Sequence, residues 1–124
     1  MTAQIKWDAP SRFVEIEGNP IPAHVEVGLH RMRDGKMLRG GVFYPEGTPR
    51  GTLVLMTGYS EFIEKYFETI QEFLDRNYCV IAFDWRGQGM SDHQLKDTHK
   101  AFIKDFKRHY KDIEYILDEI VEPN

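Results

Sequence analysis

The sequence has a single cysteine, Cys79, with no second thiol to pair with it. That excludes a disulfide framework, and its setting in Tyr78-Cys79-Val80-Ile81-Ala82-Phe83 makes it a small buried hydrophobe. No apolar stretch approaches the roughly 18 residues of a membrane-spanning helix, and the first eight residues lack the apolar centre of a secretory signal. A cytoplasmic location is therefore expected, without a transmembrane segment. There is also no run of five like charges, and the net charge is -4. A phosphate-tracking surface needs clustered Lys and Arg, so nucleic acid is not an expected partner. Neither repeats nor Ser/Gly linkers divide the 124 residues, a length that allows one core and lies near the lower limit for an open α/β sheet covered on both faces.

What is present reads as α/β. Residues 23–33 and 36–44 are extended runs flanking Asp34-Gly35, a pair that supplies the positive φ angles of a two-residue hairpin turn. After the punctuating stretch at 45–51, Leu53-Val54-Leu55-Met56 fits a strand buried on both faces. Ile63, Phe67, Ile70 and Leu74, widened by Tyr66 and Phe73, have amphipathic-helix spacing, and Asn77 ends that helix. Residues 78–83 repeat the buried-strand pattern, so strand, helix and strand form a βαβ unit with parallel strands. Phe106, Tyr110, Ile113, Leu117 and Ile120 mark a second helix. The expected architecture is an antiparallel hairpin, a parallel βαβ unit and a further helix on an incomplete sheet. His24 and His30 fall at ordinary strand positions.

Ligands of open parallel sheets gather beyond the carboxyl ends of the strands, which directs attention to two turns. In Met56-Thr57-Gly58-Tyr59-Ser60-Glu61 two roles are open. Gly58 makes the tight turn and Ser60 caps the helix, or the free N–H groups, that of Tyr59 above all, stabilise a negative oxygen. The second turn is Asp84-Trp85-Arg86-Gly87-Gln88-Gly89-Met90-Ser91-Asp92. A dinucleotide fingerprint would need glycine in place of Asp92, so a nicotinamide or flavin site is not supported. As structure, its glycines reverse the chain, Arg86 pairs with a carboxylate, and Ser91 satisfies loop backbone groups. On one polar loop, His93, Asp97 and His99 suggest a metal set, and Ser91, His93 and Asp97 an improvised triad. Both lack rigid support, and solvated side chains are the simpler reading.

The Gly turn with Glu61 and Tyr66 downstream, followed by Phe83-Asp84-Trp85-Arg86-Gly87-Gln88-Gly89-Met90-Ser91, resembles α/β-hydrolases of the monoacylglycerol lipase and lysophospholipase group. Leu95-Lys96-Asp97-Thr98-His99-Lys100, with Ile103, Phe106, Tyr110 and Asp112 after it, is similar to the bacterial lysophospholipase branch. The resemblance covers residues 35–117 and implies that 1–124 form the N-terminal part of one such domain. In the family the first turn commonly reads His-Gly-x, and the N–H after the glycine lines the oxyanion hole. Tyr59 takes that position beside Gly58, while Thr57 replaces the histidine. The turn containing Asp84, Arg86, Gly87, Gly89 and Ser91 is mainly architectural in the family, so Ser91 is not assigned as nucleophile.

The family's nucleophile sits in G-x-S-x-G, a context that Ser11, Ser60 and Ser91 all lack. The resemblance therefore implies a serine ester hydrolase without cofactor, its substrate a lipid-like ester. The nucleophile elbow, cap, acid and histidine would belong to a C-terminal half absent from these residues. It also implies that the strand at 53–56 has an open edge, met by that missing half or by self-association. The rival expectation is a truncated non-catalytic chain or a binding module on a hydrolase scaffold.

Overall fold

The computed structural model describes residues 5–58, 61–92 and 107–121. Strand β1 (Ala9–Pro10) is followed by β2 (Val25–Arg31), β3 (Met37–Phe43) and β4 (Gly51–Met56). A 3-10 turn at Ile63–Tyr66 leads into α1 (Phe67–Asp75), then come β5 (Tyr78–Phe83) and α2 (Lys107–Ile116), which runs into a π-helical turn at Leu117–Val121. The five strands form one mixed sheet in the order β1-β2-β3-β5-β4. β4 and β5 are parallel, from Gly51 opposite Tyr78 to Met56 opposite Phe83, while β2, β3 and β5 pair antiparallel. This is the expected hairpin and βαβ unit on an open sheet.

The period of two along the strands divides the core. Phe43, Val80 and Ala82 face α1, packing with Phe13, Ile63, Phe67, Ile70 and Leu74. Leu38, Val42, Cys79, Ile81 and Phe83 face the other way, against Ile116 and Ile120. At nine residues α1 is too short to be stable alone. Its buried Phe67, Ile70 and Leu74 hold it, each contributing about 1.5–3 kcal/mol. The helix stops as expected: Asn77 adopts φ 65°, and its N–H donates to the Leu74 carbonyl at 2.9 Å, an αL ending that Asn tolerates.

Four expectations are corrected. The β2–β3 hairpin does not have a two-residue turn. Met32 N–H donates to Lys36 O at 2.8 Å and Gly35 N–H to Met32 O at 3.0 Å, leaving a three-residue loop in which Gly35, at φ 91°, takes the positive-φ position. β4 is not buried on both faces: Leu53, Val54 and Leu55 are half-buried and Met56 is 50 % exposed, because β4 is an edge strand of the sheet. The inward stripe of α2 is only partly the expected one: Ile120 is buried and Ile113 half-buried, but Leu117 is exposed, and Asp112 and Ile116 are buried instead. Asp112 is drawn in by Arg86, and the wider π turn shifts the register of the residues after it. Phe106 lies outside the described residues. His24 precedes β2 in the left-handed region at φ 58°, while His30 is a strand residue.

Close packing at the sheet centre requires glycine. A Cβ on Gly40 would lie 2.5 Å from the Phe83 ring, whereas one on Gly51 would meet nothing nearer than the Tyr78 ring at 3.8 Å. Gly40→Ala is expected to lower unfolding free energy by about 1–3 kcal/mol, and Gly51→Ala to stay within about 0.5 kcal/mol of the parent, as read by denaturant melts. Equal effects at the two positions would contradict this packing.

Candidate functional site

Because Met56 and Phe83 pair at the ends of parallel strands, the turns after β4 and β5 leave the sheet side by side. In the first, Gly58 N–H donates to Glu61 Oε1 at 2.8 Å and lies 3.3 Å from the Tyr66 hydroxyl. The Tyr66 hydroxyl itself donates to the Glu61 carboxylate. These bonds, Tyr66 first, hold the Glu61 carboxyl below its ordinary range, with help from the Gly58 amide and the charge of Lys65. A Cβ on Gly58 would collide with the Glu61 carboxylate, so only glycine permits this arrangement. Tyr59 and Ser60 lie outside the described residues.

The second turn grips the first. Trp85 Nε1 donates to Thr57 O at 2.7 Å, and Gln88 Nε2 reaches Gly58 O at 3.3 Å. Gly87 (φ 78°) and Gly89 (φ 54°) bend the loop so that Asp84 can collect three donors. Its Oδ1 accepts from Ile63 N–H at 3.0 Å, and its Oδ2 from Arg39 Nε at 2.7 Å and Met90 N–H at 3.0 Å. Asp84 thus satisfies an orphan amide at the start of the helical segment, where Phe62 provides no side-chain cap. Ser91 is buried; its hydroxyl donates to Asp84 O at 2.7 Å and accepts from Arg39 N–H at 2.8 Å. Arg86 spans two carboxylates, Asp112 at 2.7 and 2.8 Å and Asp34 at 2.7 and 3.2 Å, thereby pinning α2 and the hairpin loop to this turn. Its pKa is raised by these bonds, Asp112 foremost.

Two participants were not singled out from the sequence. Arg39, fully buried in β3, also donates to Glu64 Oε2 at 2.7 Å and to Arg12 O at 3.0 Å. Glu64 in turn accepts Val14 N–H at 2.8 Å. The available signals were an arginine inside an inward-facing strand and a glutamate beside Ile63 on an apolar helix start. Burial pushes the Glu64 carboxyl up, but Arg39 and the Val14 amide outweigh it and leave the pKa lowered. Burial raises that of Asp84, with Arg39 and two amides as partial offsets.

Among the described residues no three His, Cys, Asp or Glu side chains converge as a metal set, and no helix is long and apolar enough to cross a membrane. His93, Asp97 and His99 lie outside the described residues. The Thr57 hydroxyl is buried without a hydrogen-bond partner among the described residues, at the position where the resemblance leads one to expect histidine.

Residues 47–124 match the serine aminopeptidase S33 family of hydrolases. The chain belongs to this family. Among curated relatives, it is 27% identical over 92 residues to a probable lysophospholipase L2 of Haemophilus influenzae, covering 74% of this chain and 29% of that one. It is 36% identical over 69 residues to a monoacylglycerol lipase of Mycolicibacterium smegmatis, covering 53% and 24%. The fold is shared with a thermostable carboxyl esterase from Bacillus coagulans (TM-score 0.63, 21% identity, covering 80% and 32%). It is shared equally with a soluble variant of monoglyceride lipase from Saccharomyces cerevisiae (TM-score 0.63, 20% identity, covering 76% and 30%). The chain therefore spans under a third of the length of each, and its open mixed sheet is an incomplete α/β-hydrolase fold.

Removing Arg39 would strand two buried carboxylates. Arg39→Met is expected to cost about 3–5 kcal/mol of unfolding free energy, measured by denaturant titration; a loss below about 1 kcal/mol, the range of an exposed pair, would contradict the burial. The pH dependence has a defined sign. With the folded Glu64 pKa below the ordinary 4.5, its contribution is complete above that value and is lost as pH falls through the folded pKa. The stability gap between the parent and Glu64→Gln should therefore narrow as the pH falls below the ordinary carboxylate value and through the lowered folded one. A gap independent of pH would show that Glu64 is not ionised in its pair.

Proposed function

We propose that the chain forms the N-terminal part of a serine-dependent carboxylic ester hydrolase acting in the cytoplasm on lipid-like esters, with lysophospholipid or monoacylglycerol as the substrate class. The observation that carries this reading is the glycine turn at the end of β4, beside the Asp84–Asp92 turn, in a chain of the S33 hydrolase family. Its Gly58 N–H already binds a carboxylate oxygen, so the turn's backbone suits an anionic oxygen. In the proposed mechanism Tyr59 N–H is the oxyanion donor. A serine outside these 124 residues attacks the ester carbonyl, and the tetrahedral oxyanion is held by that amide. The alcohol departs, and water releases the acid from the acyl-enzyme. The relatives named for lysophospholipid and monoacylglycerol supply the substrate class. Ser91 supports an external nucleophile, because both hydrogen-bonding directions of its hydroxyl are committed.

The 124-residue chain alone is expected to show no turnover of a nitrophenyl ester and no labelling by a fluorophosphonate. Stoichiometric labelling of Ser11, Ser60 or Ser91 would contradict the proposal. When the chain is joined to a segment carrying the G-x-S-x-G elbow, the lipid ester should be hydrolysed, with the label outside residues 1–124. There Gly58→Val should reduce turnover by about 10²–10³; turnover within a few-fold of the parent would remove Gly58 and Tyr59 from the site.

The same proposal assigns the outer edge of β4 to the next strand of the sheet or, without it, to a second copy of the chain. Sedimentation of the 124-residue chain at several concentrations should therefore show a dimer or larger assembly. A compact monomer at every concentration would contradict it.

A further inference from the structure

One residue, Glu61, holds Gly58 from both sides. The Gly58 N–H donates to Glu61 Oε1 at 2.8 Å, and the Gly58 carbonyl accepts the Glu61 N–H at 3.1 Å. The neighbouring turn adds a second grip, for the buried Gln88 side chain donates from Nε2 to Gly58 O at 3.3 Å and lies 3.5 Å from Glu61 O. The Glu61 carboxylate is itself tied down. Tyr66 donates its hydroxyl to Oε1, the oxygen that also receives Gly58 N–H, and the Lys65 charge favours the ionised carboxylate. Helix capping does not account for these bonds, since they run back into the turn, while the Ile63 amide at the helix start is taken by Asp84.

Glycine has the widest choice of φ and ψ, and a Cβ at Gly58 would collide with the Glu61 carboxylate. The clamp thus requires glycine and also removes the freedom that glycine brings. A peptide unit is planar and trans, with its N–H opposite its C=O, so donors fixed on Gly58 O determine the direction of the N–H that follows. We infer that Glu61 is a positioning residue, supported by Tyr66 and Gln88, that sets the Tyr59 N–H in place for the tetrahedral oxyanion. Its part in oxyanion binding rests on the proposed ester hydrolysis; the clamp is read without turnover. Acceptor geometry, not charge, is the useful property, because a carboxylate beside a developing oxyanion is repulsive. Glutamine keeps the acceptor and drops the charge.

In the full 124-residue chain, amide NMR spectra should show the Gly58 N–H protected from exchange. Glu61→Leu should speed its exchange by about tenfold or more with the β4–β5 ladder still protected, and Glu61→Gln should stay within about threefold of the parent. In the chain joined to the segment carrying the G-x-S-x-G elbow, Glu61→Leu should lower kcat by about 10–10² while KM stays within about threefold, the pattern of an interaction used in the transition state. Glu61→Gln should keep kcat within about threefold of the parent. Tyr66→Phe retains the packed ring and should lower kcat by about threefold or more, so the test survives a Glu61→Leu that does not fold. Parental kcat in Tyr66→Phe and in any folded Glu61→Leu, or equal losses in Glu61→Leu and Glu61→Gln, would overturn the positioning role. No turnover by the joined parent would defeat the proposed function instead, and exchange alone would then decide. Rapid Gly58 exchange in the parent, or no acceleration in Glu61→Leu, would overturn the clamp.

Discussion

Arg39 is a full positive charge with no solvent exposure, and the arrangement of the strand-end turns follows from the need to satisfy it. Burying a guanidinium is costly unless its donors and its charge are both matched. Here they are met by carboxylates from two other parts of the chain, Asp84 after β5 and Glu64 at the start of the α1 segment, and by the Arg12 carbonyl. Each carboxylate then takes backbone amides: Asp84 holds Ile63 and Met90, and Glu64 holds Val14. One side chain therefore fixes β3, the N-terminal segment, the helix start and the second turn relative to one another. Arg86, with Asp34 and Asp112, does the equivalent on the opposite face for the hairpin loop and α2.

The functional consequence is positional. Neither arginine touches the Gly58 turn, yet that turn lies between groups they restrain. Its far side is the helical segment tied to Asp84, and its carbonyls are held by Trp85 and Gln88, whose backbone continues into Arg86. In the proposed mechanism this turn presents an amide to a developing negative charge, which is effective only if the turn is already in place, and a buried ionic frame is one way to preorganise it. β4, the strand that carries this turn, is also an edge strand of the sheet. The Gly58 turn thus borders a strand edge that is unpaired among the described residues.

Much of the fold was legible because it rests on local signals. The 3.6-residue stripe gave α1, the apolar run at 78–83 gave the buried strand β5, and Asn77 marked the helix end by its tolerance of positive φ. The hairpin was placed correctly, but its loop was not, since Asp-Gly serves a three-residue turn as well as a two-residue one. β4 was read as fully buried because an apolar run reports the burial a strand is suited to, while its observed exposure depends on which neighbours are present. On α2, Ile120 was placed correctly, but Leu117 was not and Asp112 was missed, because a charge in the sequence becomes an interior group once it pairs with Arg86. The site was half legible for the same reason. Glycines and strand ends located both turns, but Arg39 and Glu64 are 25 residues apart, and nothing local in either segment announces their pairing.

The claim that a buried ionic frame holds the two turns is tested most directly by residue-resolved amide hydrogen exchange. Ile63 and Met90, which donate to Asp84, and Val14, which donates to Glu64, lie outside the β-ladder and would exchange as loop amides if the carboxylates were mobile. The account predicts that all three exchange as slowly as the paired amides of β3 and β5, through the same cooperative opening. Rapid exchange at these three positions, with the β3–β5 ladder still protected, would contradict it.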